Sequence, residues 1–146
     1  MRISARGEYA IKAVLDLALH RDHGLVPIQE IAARQAIPQR YLEQVLLGLK
    51  RAGLLTSKRG STGGYHLTRA PEDITVGAVL RAIEGPRGAF DASDTPRRNG
   101  DETHDLSDLW AEIAAAVSKV VDHVSFGDLV ARVRERRGRA HPMYHI

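Results

Sequence analysis

Residues 28–53 read IQEIAARQAIPQRYLEQVLLGLKRAG, two short stretches of helical periodicity on either side of a turn at Ala36 and Ile37. The first stretch ends near Gln35, and its apolar side is formed by Ile28, Ile31 and Ala32. Pro38 suits the first position of the second helix, because its φ angle is already helical and its missing amide hydrogen has no intrahelical partner there. Two short helices joined by a tight turn are the outline of a helix-turn-helix.

The second helix of this segment is apolar on one side and polar on the other. Its apolar side repeats at i, i+3, i+4 and i+7, and consists of Leu42, Val45, Leu46 and Leu49. Gly53 follows the last turn and suits the left-handed conformation that ends many helices. If the apolar side packs into the core, the polar side faces outward, where the second helix of a helix-turn-helix meets the major groove.

A strand, a glycine-rich turn and a second strand follow over residues 54–58, 59–64 and 65–68. Glycines permit backbone angles that other residues avoid, and they let a turn approach another surface closely. Neither the spacing nor the context matches a phosphate-binding P-loop. The two short helices and this hairpin predict a winged helix-turn-helix with a small two-stranded wing. Together with the long C-terminal dimerisation helix described below, they predict a mainly α fold.

Further helices are predicted on both sides of this unit. The first runs from about Ser4, a suitable N-cap, to Arg21, and carries one apolar stripe. Another begins after Thr75, also a suitable cap, and ends near Pro86. Together these elements define a DNA-binding domain over residues 1–86.

The middle of the chain is a polar segment followed by a long apolar-striped helix. Residues 87–105 have almost no apolar content and are predicted to form a flexible loop. The stripe of the helix consists of Leu106, Leu109, Trp110, Ile113, Val117, Val120, Val121 and Val124. Because a small domain is not expected to cover such a stripe by itself, we predict a homodimer through this helix. The alternative is that the stripe packs only within its own chain.

Residues 106–146 are accordingly assigned to the dimerisation helix, a short final helix and a C-terminal tail. Ser125 and Asp128 resemble a capping box, with Asp in place of Glu, at the start of the final helix. A basic tail follows that helix.

Composition places the chain among ordinary folded proteins. Its 146 residues are 43% hydrophobic and 27% charged. Its uncharged apolar runs are far shorter than the ~18 residues that a membrane span needs. Charged side chains interrupt the first apolar stretch and argue against a secretory signal, so we expect a cytoplasmic protein. The sequence contains no cysteine, which excludes disulfides and a thiolate nucleophile.

Charge is divided unevenly along the chain. The first 70 residues carry 11 basic and 5 acidic side chains (+6), residues 71–131 carry 5 and 12 (−7), and residues 132–146 carry 5 and 1 (+4). The front half is therefore the candidate surface for a polyanion, although charge alone is equally compatible with an ordinary solvated surface.

The position of the motifs favours double-stranded DNA with a pseudo-palindromic operator. Residues early in the second helix are expected to meet base edges, and we assign guanine to Arg40 and adenine to Gln44. A carboxylate such as Glu43 is tolerated at DNA if it accepts from cytosine N4, but it can equally pair with Arg40 or Lys50. Arg59 is the candidate for the minor groove. The full predicted set is Pro38, Gln39, Arg40, Tyr41, Glu43, Gln44, Lys50, Arg51, Lys58, Arg59 and Gly60.

Short motifs along the whole chain resemble one known family. They are Met1-Arg2-Ile3-Ser4, Glu8-Tyr9-Ala10, Glu30-Ile31-Ala32, Tyr41-Leu42-Glu43-Gln44, Arg59-Gly60, Gly63-Gly64-Tyr65, Glu84-Gly85-Pro86 and Leu109-Trp110. Together they resemble the Rrf-type winged-helix repressors, the bacterial group that includes IscR, NsrR and CymR. The resemblance implies a dimeric, sequence-specific transcriptional repressor, with Glu43 reading a base and Arg59 contacting the minor groove.

Cluster-binding members of this family carry three cysteines before the long helix. The resemblance places Ala92, Arg98 and His104 at those positions and Ser107 where a histidine ligand would stand. Glu8 matches a position where some members supply a carboxylate ligand, with a surface salt bridge as the alternative. Since no cysteine is available, we expect neither an iron–sulfur cluster nor another cofactor.

The cysteine-free sequence and its ending resemble the branch that represses cysteine metabolism. In that branch a protein partner, cysteine synthase (O-acetylserine thiol-lyase), takes part in regulation. A terminal carboxylate on an apolar residue can mimic an amino acid in a pocket built for one. The resemblance therefore assigns partner binding to Tyr144, His145 and Ile146, and the alternative is a frayed terminus without a role.

Three competing readings remain. An enzyme is disfavoured, because no G-x-S-x-G, no H-E-x-x-H and no pair of carboxylates beside a base is present. A winged-helix module that binds only proteins would leave Arg59 without a role. A repressor that answers to a metal or redox signal would need His104, His141 and His145 as ligands, although scattered histidines are more often solvated.

Overall fold

The computed structural model describes residues 3–60, 63–85 and 106–140. Within these ranges the chain forms six α-helices, a two-stranded antiparallel sheet and two short 3₁₀ turns, Arg21–His23 and Pro71–Asp73. The helices are α1 (Ala5–Leu19), α2 (Ile28–Gln35), α3 (Gln39–Arg51), α4 (Val76–Glu84), α5 (Ser107–His123) and α6 (Phe126–Ala140), and the strands are β1 (Leu55–Lys58) and β2 (Gly64–Leu67). The predicted mainly α winged helix-turn-helix is confirmed.

Helix α1 begins where its cap was predicted and ends earlier than predicted. The Ser4 hydroxyl accepts a hydrogen bond from the Gly7 amide at 3.1 Å. The helix stops at Leu19 and not at Arg21, because His20 leaves helical geometry and the chain continues into a 3₁₀ turn that reverses at Gly24 (φ 75°). The buried side of α1, which includes Ala10, Ala13, Val14 and Leu17, forms the centre of the core.

The helix-turn-helix is formed by α2 and α3. Ala36 ends α2 in the left-handed conformation (φ 53°), and the Ile37 amide donates to the Ala32 carbonyl at 3.0 Å. Pro38 is the N-cap of α3 and not its first helical residue, because its ψ of 126° is extended. The predicted apolar side of α3 is confirmed: Leu42, Val45, Leu46 and Leu49 are all fully buried.

The wing is a short hairpin held against the start of α2. Leu55 pairs with Leu67 and Lys58 with Gly64 in antiparallel register. Tyr65 also exchanges two 2.9 Å backbone hydrogen bonds with Val26, which adds an isolated bridge to the hairpin. A Cβ at Gly64 would lie 2.6 Å from the Val26 backbone, so this close approach requires glycine.

An ion pair joins the long helix α5 to α4. Thr75 caps α4 as predicted, with its hydroxyl accepting from the Ala78 amide at 3.1 Å. Arg81 on α4 binds both carboxylate oxygens of Asp122 on α5, with Nη2 3.0 Å from Oδ2. A Cβ at Gly77 would lie 2.1 Å from Asp122 Oδ1, so α4 and α5 approach closely at this point.

The final helix is longer than the short helix predicted. Ser125 and Asp128 form the predicted capping box, each side chain accepting from the other's amide at 3.0 Å. Helix α6 then extends through residues assigned to the basic tail, because arginine is a good helix former and Glu135 pairs with Arg139 one turn later. Phe126 is fully buried against the core.

The predicted loop over 87–105 and the tail residues Tyr144, His145 and Ile146 lie outside the described residues. The division of the chain into 1–86, 87–105 and 106–146 stays a prediction. Of the helices that the structure describes, none has the length and apolar character required to cross a bilayer.

Candidate nucleic-acid interface

The outward side of α3 carries most of the residues predicted to contact DNA. Burial of the apolar side fixes the rotation of the helix and turns the polar side toward solvent. Every predicted member on or beside α3 is exposed: Pro38, Gln39, Arg40, Tyr41, Glu43, Gln44, Lys50 and Arg51. The side chains can therefore approach a ligand without displacing any part of the core.

Glu43 has no ion pair among the residues that the structure describes. The guanidinium of Arg40 instead lies 5.1 Å from the centre of the Tyr41 ring, and it donates to the Tyr41 hydroxyl at 3.3 Å. The ammonium of Lys50 donates to Ser57 Oγ at 2.6 Å. The alternative of a Glu43 salt bridge with Arg40 or Lys50 is therefore wrong, and the carboxylate is available as a hydrogen-bond acceptor.

A cleft of about 400 Å³ separates α3 from the wing. Leu47 and Lys50 line it from α3, and Lys58, Arg59 and Gly60 line it from the wing. The Lys50–Ser57 hydrogen bond crosses the cleft and ties the helix to β1. The cleft thus has cationic side chains on both walls, as a surface that follows a phosphate backbone requires.

The wing tip presents two further cations. Lys58 and Arg59 are exposed, and neither side chain has a hydrogen-bond or ion-pair partner in the part of the chain described. The turn is tight, because the Gly63 amide donates to the Gly60 carbonyl at 3.0 Å and Gly60 has φ 118°. The exposed Arg59 side chain, which comes directly before this glycine, is therefore accessible to a ligand.

A buried ion pair, which sequence reasoning missed, holds α2 against α1. Asp16 is fully buried, and Arg34 donates to its two carboxylate oxygens from Nε and Nη2 at 2.9 Å each. Gln35 Nε2 adds a third hydrogen bond at 3.2 Å. The hydrogen bond to Asp16 raises the pKa of Arg34 above its ordinary value. The available signal was a single charged residue within the otherwise apolar run from Ala13 to Leu19.

Leu47 was also missed, and it is 46% exposed in the middle of the polar side of α3. It lies outside the i, i+3, i+4, i+7 repeat that defines the buried side, and this offset was the signal in the sequence.

Helix α5 divides its apolar stripe between two surroundings. Val117 and Val121 pack against Leu80 of α4. Val124 is half-buried, and the other members stay at least one third exposed: Leu106, Leu109, Trp110, Ile113 and Val120. Packing within the described part of the chain therefore covers only one end of the stripe.

A helix-turn-helix with an uncovered polar side on its second helix and a cationic two-stranded wing beside it defines a winged-helix DNA-binding protein. A sequence profile described as "Rrf2: Iron-dependent Transcriptional regulator" matches residues 3–132. The chain belongs to the Rrf2 family of transcriptional regulators, which are DNA-binding proteins and not enzymes.

Transcriptional regulators named IscR and CymR are similar to this chain. IscR of Aliivibrio salmonicida is 36% identical over 130 residues, which are 89% of this chain and 77% of the relative. The structure of CymR, the global cysteine regulator of B. subtilis, matches with a TM-score of 0.76 at 32% identity and covers 90% of this chain and 98% of that chain. IscR of T. potens matches with a TM-score of 0.75 at 32% identity and covers 93% and 90%. The resemblance to the Rrf-type family is confirmed.

The residues of this chain do not fit a thiolate-bound iron centre. The sequence has no cysteine, and thiolates hold iron–sulfur clusters. Glu8 pairs with Lys12 Nζ at 3.5 Å, as its surface alternative predicted. Across residues 3–60, 63–85 and 106–140, no three His, Asp or Glu side chains are grouped to hold a metal ion. The remaining candidate positions, Ala92, Arg98, His104, His141 and His145, lie outside these ranges.

Proposed function

We propose that this regulator is a homodimeric repressor that binds a pseudo-palindromic DNA operator through α3 and the wing. The observation that carries the proposal is the exposed polar side of α3, which continues across a cationic cleft to Arg59 at the wing tip. The proposal assigns the major groove to α3 and the adjacent minor groove to the wing.

The exposed residues divide by chemistry into base-reading and phosphate-binding groups. Arg40 presents a fork of donors to guanine, Gln44 presents an amide to adenine, and the Glu43 carboxylate, which has no ion pair among the described residues, accepts from cytosine N4. Lys50, Arg51 and Lys58 bind phosphates, which sets register and supplies affinity that falls as salt rises. The Glu43 carboxylate repels phosphates, so we expect it to favour operator sequences that place a hydrogen-bond donor such as cytosine N4 beside it.

The uncovered side of α5 supports the homodimer. Trp110 and Ile113 are each 37% exposed on a helix whose other end packs on α4. A second copy of the same side would cover these residues, and a two-fold axis between copies explains why two half-sites are needed.

For the regulated pathway, we propose sulfur or cysteine metabolism. The absence of cysteine removes the usual cluster ligands, and the likeness to CymR of B. subtilis supports this branch. In this proposal the tail residues Tyr144, His145 and Ile146 bind a protein partner such as cysteine synthase. A metal or redox signal is the alternative, and the description of the matching family profile as iron-dependent favours it.

The test is selection of a binding site from a random duplex pool by the full chain at low ionic strength, followed by fluorescence anisotropy on the recovered duplex. We expect R59E to weaken binding at least tenfold. R136E makes the same change of net charge on exposed α6 and should stay within about twofold of the original chain, because surface charge away from a contact adds little. If no duplex is enriched, or if both variants lose affinity equally, the proposal is wrong.

A further inference from the structure

Leu47 lies at the centre of the outward side of α3. At about 100° per residue, Arg40, Glu43 and Arg51 lie within about 40° of Leu47 around the helix axis. Gln44 and Lys50 lie within about 60°. A leucine that is 46% exposed therefore stands inside the ring of polar side chains that the proposed function assigns to DNA.

The surroundings of Leu47 favour DNA over another apolar protein surface as its contact. Leu47 lines the cleft between α3 and the wing together with Lys50, Lys58 and Arg59. Covering these cations with an apolar protein surface would desolvate charges that such a surface cannot neutralise, which is unfavourable. A polyanion such as DNA neutralises these cations. Leu47, which lies beside them, then contacts a base edge in the groove.

We propose that Leu47 is a specificity-determining residue that contacts the C5-methyl group of a thymine in each half-site. This inference rests on the proposed function. In the major groove, thymine is distinguished from the other bases by an apolar methyl group. The polar neighbours of Leu47 can recognise hydrogen-bond donors and acceptors on base edges. The aliphatic side chain of Leu47 instead stabilises the complex by removing the thymine methyl group from water.

The expected effect is small enough to separate from general loss of binding. Deoxyuridine differs from thymidine by this methyl group alone and leaves pairing and phosphates unchanged. Loss of one buried methyl contact is expected to weaken binding about fourfold per half-site and about fifteenfold when both half-sites are changed.

The experiment starts from the duplex that the full chain selects from a random pool. Each thymine is replaced by deoxyuridine in turn, in both half-sites, and affinity is measured by anisotropy for the original chain, L47A and L47M. We expect one position at which the original chain and L47M prefer thymine and L47A binds both duplexes equally. The matched control Q44A removes a predicted base contact one turn away, so it should bind more weakly and keep the preference.

Two results would overturn the inference while leaving the proposed function intact: equal binding of thymine and deoxyuridine duplexes by the original chain, or an unchanged preference in L47A. Failure of the original chain to select any duplex would refute the proposed function, and this inference with it.

Discussion

Breaking the Asp16–Arg34 pair should destabilise the helix-turn-helix more than any surface change. In R34M, the fully buried Asp16 carboxylate loses both Arg34 hydrogen bonds and keeps the Gln35 hydrogen bond at 3.2 Å and the contact with His20 Nδ1 at 3.8 Å. Removing one partner of a buried ion pair costs about 3–5 kcal/mol, and we expect about 3 kcal/mol because water reaches part of the Arg34 side chain. Urea unfolding at fixed protein concentration measures this loss.

The matched control is R136M, the same substitution on an exposed helical arginine, which should change stability by less than about 0.5 kcal/mol. The double variant D16L/R34M buries no charge and should be more stable than R34M alone. A loss below about 1 kcal/mol in R34M, or a double variant less stable than R34M, would refute the role assigned to this pair.

Three further predictions concern α4 and α5. In G77A the new methyl group would lie 2.1 Å from Asp122 Oδ1, so we expect a loss of about 1–3 kcal/mol in urea unfolding, and G138A on exposed α6 should show none. Arg81 lowers the pKa of Asp122 from its ordinary 3.8, so the pair stabilises the fold above that pH. The free energy of unfolding of the original chain should therefore exceed that of D122N by a constant amount near neutral pH, and this difference should disappear as acid protonates the Asp122 carboxylate. A difference that grows in acid would contradict this prediction. I113E places a charge on the uncovered side of α5 and should give a folded monomer in sedimentation, whereas a dimer of unchanged affinity would place the interface elsewhere.

Local periodicity and capping chemistry were sufficient to predict most of the fold. The buried side of α3 follows from a repeat of apolar residues that only a helix brings together. The caps at Ser4, Thr75 and Ser125 use hydroxyls next to the amides they satisfy, so three or four residues of sequence contain the whole interaction. Helix α6 was underestimated because its second half lacks an apolar stripe and is held by helix propensity and a local ion pair.

The interactions that join distant segments were not predictable in the same way. Asp16 and Arg34 are 18 residues apart, and Arg81 and Asp122 are 41 apart, so no spacing rule relates them. The split of the α5 stripe depends on where α4 lies, which sequence periodicity does not determine. The roles of the α3 and wing residues at DNA stay predictions, although the structure places these side chains on one accessible surface.

The most direct test of DNA reading by α3 and the wing is tethered cleavage of the selected duplex. Because the chain has no cysteine, Q39C, K58C and R136C each provide a single attachment site for an iron chelate that cuts nearby DNA. The account predicts cuts from Q39C and K58C within each half-site, mirrored about the centre of the operator, and none above background from R136C. Cuts that are absent from the half-sites, or that lack two-fold symmetry, would contradict it.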